Sequence, residues 1–401
     1  MEASVRSTLL RAVEEHRDAM VDWTRQLVAL PTENPPGNCY GEAARNIRDH
    51  LLRAGFEDTH SIGDCVVSFV GEGERTLYFS GHYDVVPAQN RGQFNPQLKG
   101  ANLFGRGASD MKSGLAAMAY AAKAIRDCSI PLRGRIGVVF VPDEETAGTR
   151  GSRDLAERGL LGQLGIGMLT PEPTGGIVWN ANRGAITLLV TIKGKSAHVG
   201  RQFEGVNAFE QMLRVCDAVS KLKSDVETRV TSFRIAPEAA RRSILMIGGQ
   251  AESGKNFNVV PDVCSFTIDR RTNPEEDFRE EKRRLLAVLD EARASGIDLQ
   301  VTVLQEGASA GVAEDSPLGT ALARNIREVT SREARFEMCP GLLEIRFYAE
   351  RGIPAFAYGP GLLTVSHGPN EFVTVDRIVE CAAIYALTAV DMLSQAALPS
   401  P

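Results

Sequence analysis

Apolar positions recur at helical spacing through residues 6–30 (Leu10, Val13, Met20, Leu27, Leu30), and the pattern stops at Pro31 and Asn34-Pro35-Pro36-Gly37. This predicts one N-terminal helix, ended where proline removes a donor and clashes with the preceding turn. A second helix fits 41–54, closed by Gly55, a residue that accepts a left-handed backbone. Short β-rich runs follow at 65–70, 76–80 and 136–141, the last two separated by a helix of small residues over 113–125. Strands alternating with helices predict an α/β sheet covered on both faces.

Beyond Trp179 the pattern changes to amphipathic strands at 184–193, 242–249, 263–270 and 298–305, interleaved with helices near 205–222 and 275–294. That β-α-β-β-α-β order reads as a smaller α+β domain inserted into the first. The remainder returns to helix, a β-rich segment at 355–358 and a final helix. The expected division is 1–181 and 308–401 for the larger domain, with 182–307 as the insertion.

A chain of 401 residues that is 43% hydrophobic is long for one compact domain, which agrees with two. Its charged fraction of 24% and net charge of -6 carry no basic excess, so neither nucleic acid nor a membrane surface is an expected partner. A small molecule is. The first twenty residues mix charges into the apolar spacing, unlike a signal peptide, and no run reaches the ~18 apolar residues of a bilayer span. Seven scattered cysteines without a C-x-x-C spacing read as reduced thiols of a cytoplasmic protein.

Chemistry concentrates in a few places. Three of the six histidines stand in turn-like contexts at or near the ends of β-rich runs: Gly81-His82-Tyr83-Asp84, Ser196-Ala197-His198 and Ser366-His367-Gly368. Ligands of α/β sheets sit at such positions. His16, His50 and His60 have polar or charged neighbours and read as solvated surface histidines. In an extended stretch His82 and Asp84 leave on the same side, so Asp84 can hold the outer ring nitrogen while the inner one meets a metal. An ordinary turn after a strand is the competing reading. Asp110, in the glycine-rich segment 105–114, is either a ligand or the N-cap of the helix that follows. Asp143-Glu144-Glu145 follows a strongly β-like run, where one carboxylate can bind metal while its neighbour acts as a base; alone, the tripeptide reads equally as a solvated acidic turn. Glu172, in Thr170-Pro171-Glu172-Pro173-Thr174, singly looks like surface. Their combination at the carboxyl ends of core strands is what makes a site.

Together, Ser80-Gly81-His82-Tyr83-Asp84-Val85-Val86-Pro87, the segment 105–114, Asp143-Glu144-Glu145, Glu172-Pro173-Thr174, Gly194-Lys195-Ser196-Ala197-His198, Asn258-Val259-Val260-Pro261 and Ser366-His367-Gly368-Pro369-Asn370-Glu371 appear in one order and spacing. The set resembles the metallopeptidase family of carboxypeptidase G, acetylornithine deacetylase, succinyl-diaminopimelate desuccinylase and aminoacylase, over nearly the whole chain. The resemblance implies a mixed-sheet, zinc-peptidase-like catalytic domain carrying an inserted lid and dimerisation domain. It implies that His82, Asp110 and Glu172 hold one metal and Asp110, Glu145 and His367 the other, with Asp84 orienting His82 and Glu144 as general base. It also implies a cis peptide between Asp110 and Met111, and a homodimer through the insertion in which His198 stabilises the oxyanion across the interface. Asn258 and Arg271 match positions that bind a substrate carboxylate, with Arg270 the competitor because adjacent strand residues face opposite ways.

Two divalent ions bring about +4 against about -3 from Asp110, Glu145 and Glu172, so a hydroxide completes neutralisation. Oxygen and nitrogen ligands suit Zn2+ first, with Co2+ or Mn2+ fitting the same set. One departure stands at Pro340-Gly341-Leu342-Leu343-Glu344, where acylase-like members often show Gly-Gly-Thr and an acid: Gly341 survives as a substrate contact, but leucine replaces the hydroxyl. The expected activity is cleavage of the amide of an N-acyl amino acid or a small carboxylate-bearing amide, deacylase- or carboxypeptidase-like. Glutamate at 172 resembles the acylase and carboxypeptidase members more than the aminopeptidases. The alternatives are another C–N bond in a ureido or amino compound, a dipeptidase, and a binding protein without chemistry.

Overall fold

The computed structural model describes residues 3–394, in two compact units. One runs to Asn180 and takes in Val312–Glu337 and the chain from Glu344 onward; the other comprises Ala181–Gly311 with Met338–Leu343. The inclusion of Met338–Leu343 in the second unit is a crossing that hydrophobic spacing gives no sign of. The ends of the expected outer segments, residues 1–2 and 395–401, lie outside the described residues.

In the first unit the strands Asp58–Ile62, Cys65–Glu72, Gly134–Val141, Thr76–His82, Gly165–Thr170 and Ala355–Ala357 lie side by side in that order. The first two pairings are antiparallel and the next three parallel, so the sheet is mixed. Every residue of Thr76–His82 is buried, which is why its sequence is a continuous run rather than an alternation. Neighbouring side chains of that strand show what covers each face. Phe79 packs against Tyr385 of the helix Val375–Ser394, and Tyr78 against Tyr348 of the short helix Ile345–Ala349. Successive strand residues point to opposite faces, so helices cover both.

The helix Lys112–Asp127 is buried almost all round and touches Thr76–His82, Gly134–Val141 and Val375–Ser394. Its alanines and glycine allow that depth, and its N-terminus delivers Asp110 to the sheet. The single N-terminal helix predicted over 6–30 is instead two, Ala3–Glu15 and Arg17–Val28, broken at His16, whose Nε2 lies 3.2 Å from Asp127. Apolar spacing continues through the break and so conceals it. His50 also departs from expectation. It is half-buried and stacks on Trp23 with ring centroids 4.1 Å apart. The strand Asp58–Ile62 and a small sheet of Gln97–Lys99, Asn102–Phe104 and Phe372–Thr374 are too short and polar to show in the pattern.

In the second unit four antiparallel strands lie in the order Ile244–Ser253, Val263–Arg271, Ala185–Lys193, Leu299–Gly307. The helices Ala208–Val226 and Phe278–Ala294 complete the β-α-β-β-α-β chain order, packing Val215, Val219, Leu285 and Leu289 with Leu188, Val190 and Ile192. Both start on side-chain caps: Asn207 accepts from Phe209 and Glu210, and Asp277 from Glu280, each stabilising its helix by ~1 kcal/mol. All seven cysteines are free thiols, and no described helix is long and apolar enough to cross a membrane.

Candidate metal centre

Three parallel strands of the first unit end at the same edge, and each delivers an acid or a histidine there. His82 is the last residue of Thr76–His82, Glu144 and Glu145 follow Gly134–Val141, and Glu172 follows Gly165–Thr170. Asp110 arrives from the loop before Lys112–Asp127, and His367 from the loop between Ala355–Ala357 and Phe372–Thr374. Two glycines let these loops close in. A Cβ on Gly361 would stand 2.1 Å from the carbonyl oxygen of Ser109, and one on Gly359 would stand 2.2 Å from that of Pro171.

The Nε2 of His82 is 3.4 Å from Oδ1 of Asp110. The Nε2 of His367 is 3.3 Å from Oδ2 of Asp110 and 3.3 Å from Oε2 of Glu145. Asp110 therefore turns one oxygen toward each histidine. Two groups result, His82 with Asp110 and Glu172, and Asp110 with Glu145 and His367, each with its ligand atoms within 4.8 Å of one another. Either can hold a metal ion. Oδ1 of Asp110, Oε1 of Glu145 and Oε1 of Glu172 are buried without any hydrogen-bond partner in the protein. Buried carboxylate oxygens are normally satisfied, and this donor set of imidazoles and carboxylates fits divalent cations. The peptide between Asp110 and Met111 is cis.

Asp84 is fully buried and works through the backbone as much as through His82. Its carboxylate accepts the N–H of Glu144 at 3.2 Å, the N–H of Glu145 at 3.1 Å and the side-chain amide of Asn34 at 2.8 Å. The Nδ1 of His82 is closer to the carbonyl oxygen of Asp84, 3.0 Å, than to its carboxylate, 3.4 Å. Both acceptors fix the ring's outer nitrogen as the protonated one in the neutral form.

The acids and histidines of the centre shift one another's affinity for protons. Burial opposes charge on His82, but the nearby carboxylates of Asp110 and Asp84 overcome that and raise it well above the usual imidazole range. His367 is pushed up to about 10 by its bonds to Asp110 and Glu145. Burial alone would raise Asp110, yet the two histidines hold it below the ordinary carboxylate range. Burial pushes Glu144 up to about 8, and it raises Glu145 and Glu172 as well, with the charge of Asp110 adding to both.

Several contributors escaped sequence reasoning. Asn34 looks like part of a helix-stopping turn, yet it bonds Asp84. Lys112 is buried and donates to the carbonyls of Leu27, in the last turn of the helix Arg17–Val28, and Leu30, just beyond it, at 2.8 Å each. Glu371 belongs to the quoted Ser366-to-Glu371 motif, but spacing gave it no role; here it lies under the Asp110 loop.

The remaining expected residues lie in the second unit. His198 is exposed, and its Nδ1 accepts the N–H of Gly200 at 3.1 Å, which leaves Nε2 as the protonated nitrogen of the neutral ring. Asn258 has a buried Oδ1 without a partner, and its carbonyl accepts from Val199 at 3.0 Å. Arg271 forms a two-pronged pair with Asp269 at 2.6 and 2.8 Å. Arg270 points the other way and is buried against Glu276 and Glu281. Gly341 accepts the backbone N–H of Arg183 at 3.1 Å.

The family model described as Peptidase family M20/M25/M40 matches residues 78–391, a span that includes every group of the centre. The chain belongs to this peptidase family. As a member of the M20/M25/M40 family it is a metal-dependent hydrolase of C–N bonds. The succinyl-diaminopimelate desuccinylase of Roseobacter denitrificans is 28% identical over 366 residues, 86% of this chain and 92% of its own. The N-formyl-4-amino-5-aminomethyl-2-methylpyrimidine deformylase of Halalkalibacterium halodurans is 24% identical over 410 residues, 94% of this chain and 95% of its own. Among solved structures, the M20 family metallo-carboxypeptidase Sso-CP2 of Sulfolobus solfataricus shares the fold, with a TM-score of 0.76 at 16% identity over 93% of this chain and 99% of that one.

Proposed function

We propose that the protein is a two-metal amidohydrolase that cleaves the amide bond of an N-acyl amino acid or of a similar small carboxylate-bearing amide. The observation that carries this reading is Asp110, which offers one oxygen to each of two ligand groups. His82, Asp110 and Glu172 would hold one ion, and Asp110, Glu145 and His367 the other. Zinc suits these donors best, and cobalt or manganese fits them too. When bound, such a pair supplies Lewis acidity toward the amide carbonyl and toward water.

The chain's own residues do the rest. Glu144 belongs to neither ligand group, and its Oε2 stands 3.8 Å from Nε2 of His82, so a carboxylate remains beside the ligands to take a proton from water and pass it to the leaving nitrogen. Asp84 holds His82 and the backbone of Glu144 and Glu145 in place. His198 offers its Nε2–H to the tetrahedral oxyanion across a homodimer joined through the second unit. The amide of Asn258, the guanidinium of Arg271 and the backbone at Gly341 receive the substrate carboxylate, Arg271 by exchanging Asp269 for it. Two relatives whose names describe removal of an acyl group from nitrogen support the deacylase side of this reading.

The test is hydrolysis of a panel of N-acyl amino acids and dipeptides by zinc-loaded protein, before and after chelation. Turnover of an N-acyl amino acid that is lost with the metal and restored with it is the expected result. Equal turnover by metal-free protein, or release of ammonia from carbamoyl compounds in preference to amide cleavage, overturns it.

A further inference from the structure

We propose that Glu371 is the positioning residue for the half of the centre formed by Asp110, Glu145 and His367, an inference that rests on the two-metal reading above. Its Oε1 accepts the backbone N–H groups of Gly107, Ser109 and Asp110 at 3.0, 3.0 and 3.1 Å. Three donors from one turn converge on that oxygen as they would on a bound anion, so the carboxylate dictates the path of the backbone into Asp110. Its Oε2 receives Nη1 of Arg106 at 2.6 Å, with both side chains 1% exposed. The same guanidinium donates through Nη2 to the carbonyl oxygen of His367 at 3.2 Å. In the main chain, Gly105 donates to the carbonyl of Glu371 at 3.0 Å.

One buried ion pair thus joins the loop that aims Asp110 to the loop that presents His367. Neither loop belongs to the main sheet; both adjoin the short strands Asn102–Phe104 and Phe372–Thr374, whose pairing sets the roots of the loops, and the ion pair carries that spacing on toward Asp110 and His367. His82 and Glu172 stand on or just after strands of the main sheet itself. They extend from Thr76–His82 and Gly165–Thr170, strands that pair directly with each other. Loss of the Glu371 carboxylate therefore falls on one ligand group more than on the other. Selectivity of this kind separates a positioning role from a general contribution to folding.

The experiment is equilibrium dialysis of the full chain against Zn2+, with bound metal counted by mass spectrometry, in two reference backgrounds. Glu172→Ala leaves the Asp110, Glu145 and His367 group, and His367→Ala leaves the other. Adding Glu371→Gln keeps the volume but turns an amide NH2 toward existing donors. Zinc binding is expected to weaken about 10- to 100-fold in the Glu172→Ala background, the range found when groups supporting metal ligands are removed, and by a smaller factor in the His367→Ala background. Equal weakening in both, or no weakening in the first, overturns the assignment. Should Glu371→Gln lose its circular dichroism, Arg106→Lys makes the same comparison, since one ammonium retains the charge on Glu371 without the fork that also reaches His367. Weakening confined to the first background is again the supporting result, and unchanged binding the opposing one. An otherwise unaltered chain that binds fewer than two zinc ions sinks the two-metal reading itself, before any Glu371 variant is compared.

Discussion

The carboxylate of Asp84 receives the backbone N–H of Glu145 at 3.1 Å, while the carbonyl oxygen of the same aspartate lies 3.0 Å from Nδ1 of His82. One residue thus aligns ligands proposed for two different metals. Asp84→Asn replaces an acceptor with a donor facing the N–H groups of Glu144 and Glu145. We expect zinc affinity to fall about 10- to 100-fold at both groups. Dialysis measures this, and unchanged affinity at either group contradicts the proposed alignment.

Glu144 is expected to act on protons and to leave the metals alone. Glu144→Gln should retain two zinc ions while kcat drops about 10²- to 10⁴-fold, the usual worth of a positioned acid or base. Loss of metal together with activity would make Glu144 a ligand. Retained turnover would remove it from the mechanism.

Loading the centre with metal should acidify an unbuffered solution. His82 and His367 both sit above the usual imidazole range, His367 at about 10, so both carry a proton near pH 7 in metal-free protein. Metal binding needs neutral rings and ionised carboxylates, so protons leave the histidines and the raised Glu145 and Glu172, and affinity rises with pH until these ligands are already deprotonated. Titration calorimetry in buffers of different ionisation enthalpy counts these protons. A count of zero contradicts the protonated description of the centre.

His50 should make the fold acid-sensitive. Burial, helped by the charge of Arg53, pushes its ring down to about 4, whereas an unfolded chain holds it near ~6.5. The unfolded state therefore binds the proton more tightly. This contribution to stability is complete above about pH 6.5 and is lost as the pH falls toward 4. His50→Phe keeps the stack on Trp23 and removes the titration. In urea unfolding, the variant should lose less stability than the parent between pH 7 and pH 5; equal losses would refute this.

Legibility followed range. The strands Thr76–His82 and Gly134–Val141 and the helix Lys112–Asp127 announce themselves through local composition, because burial on all sides demands an uninterrupted apolar or small-residue run. The alternation of Ala185–Lys193 and its neighbours likewise exposes a sheet with one packed face. The break at His16 was hidden because the apolar spacing on its two sides stays in phase. His50 was misjudged because polar neighbours in sequence do not reveal Trp23 on another helix.

The chain alone determined the kinds of element, the class of chemistry and the candidate ligands, since motif residues at strand ends carry their chemical character wherever they fold. Tertiary structure alone decided that Asp110 faces two histidines at once, that Asp84 is shared between a ring and a backbone turn, and that Arg106 and Glu371 join two loops. Those relations depend on distances between segments remote in sequence. The parallel strand pairing, the close approach at Gly359 and Gly361 and the Arg106–Glu371 ion pair set such distances.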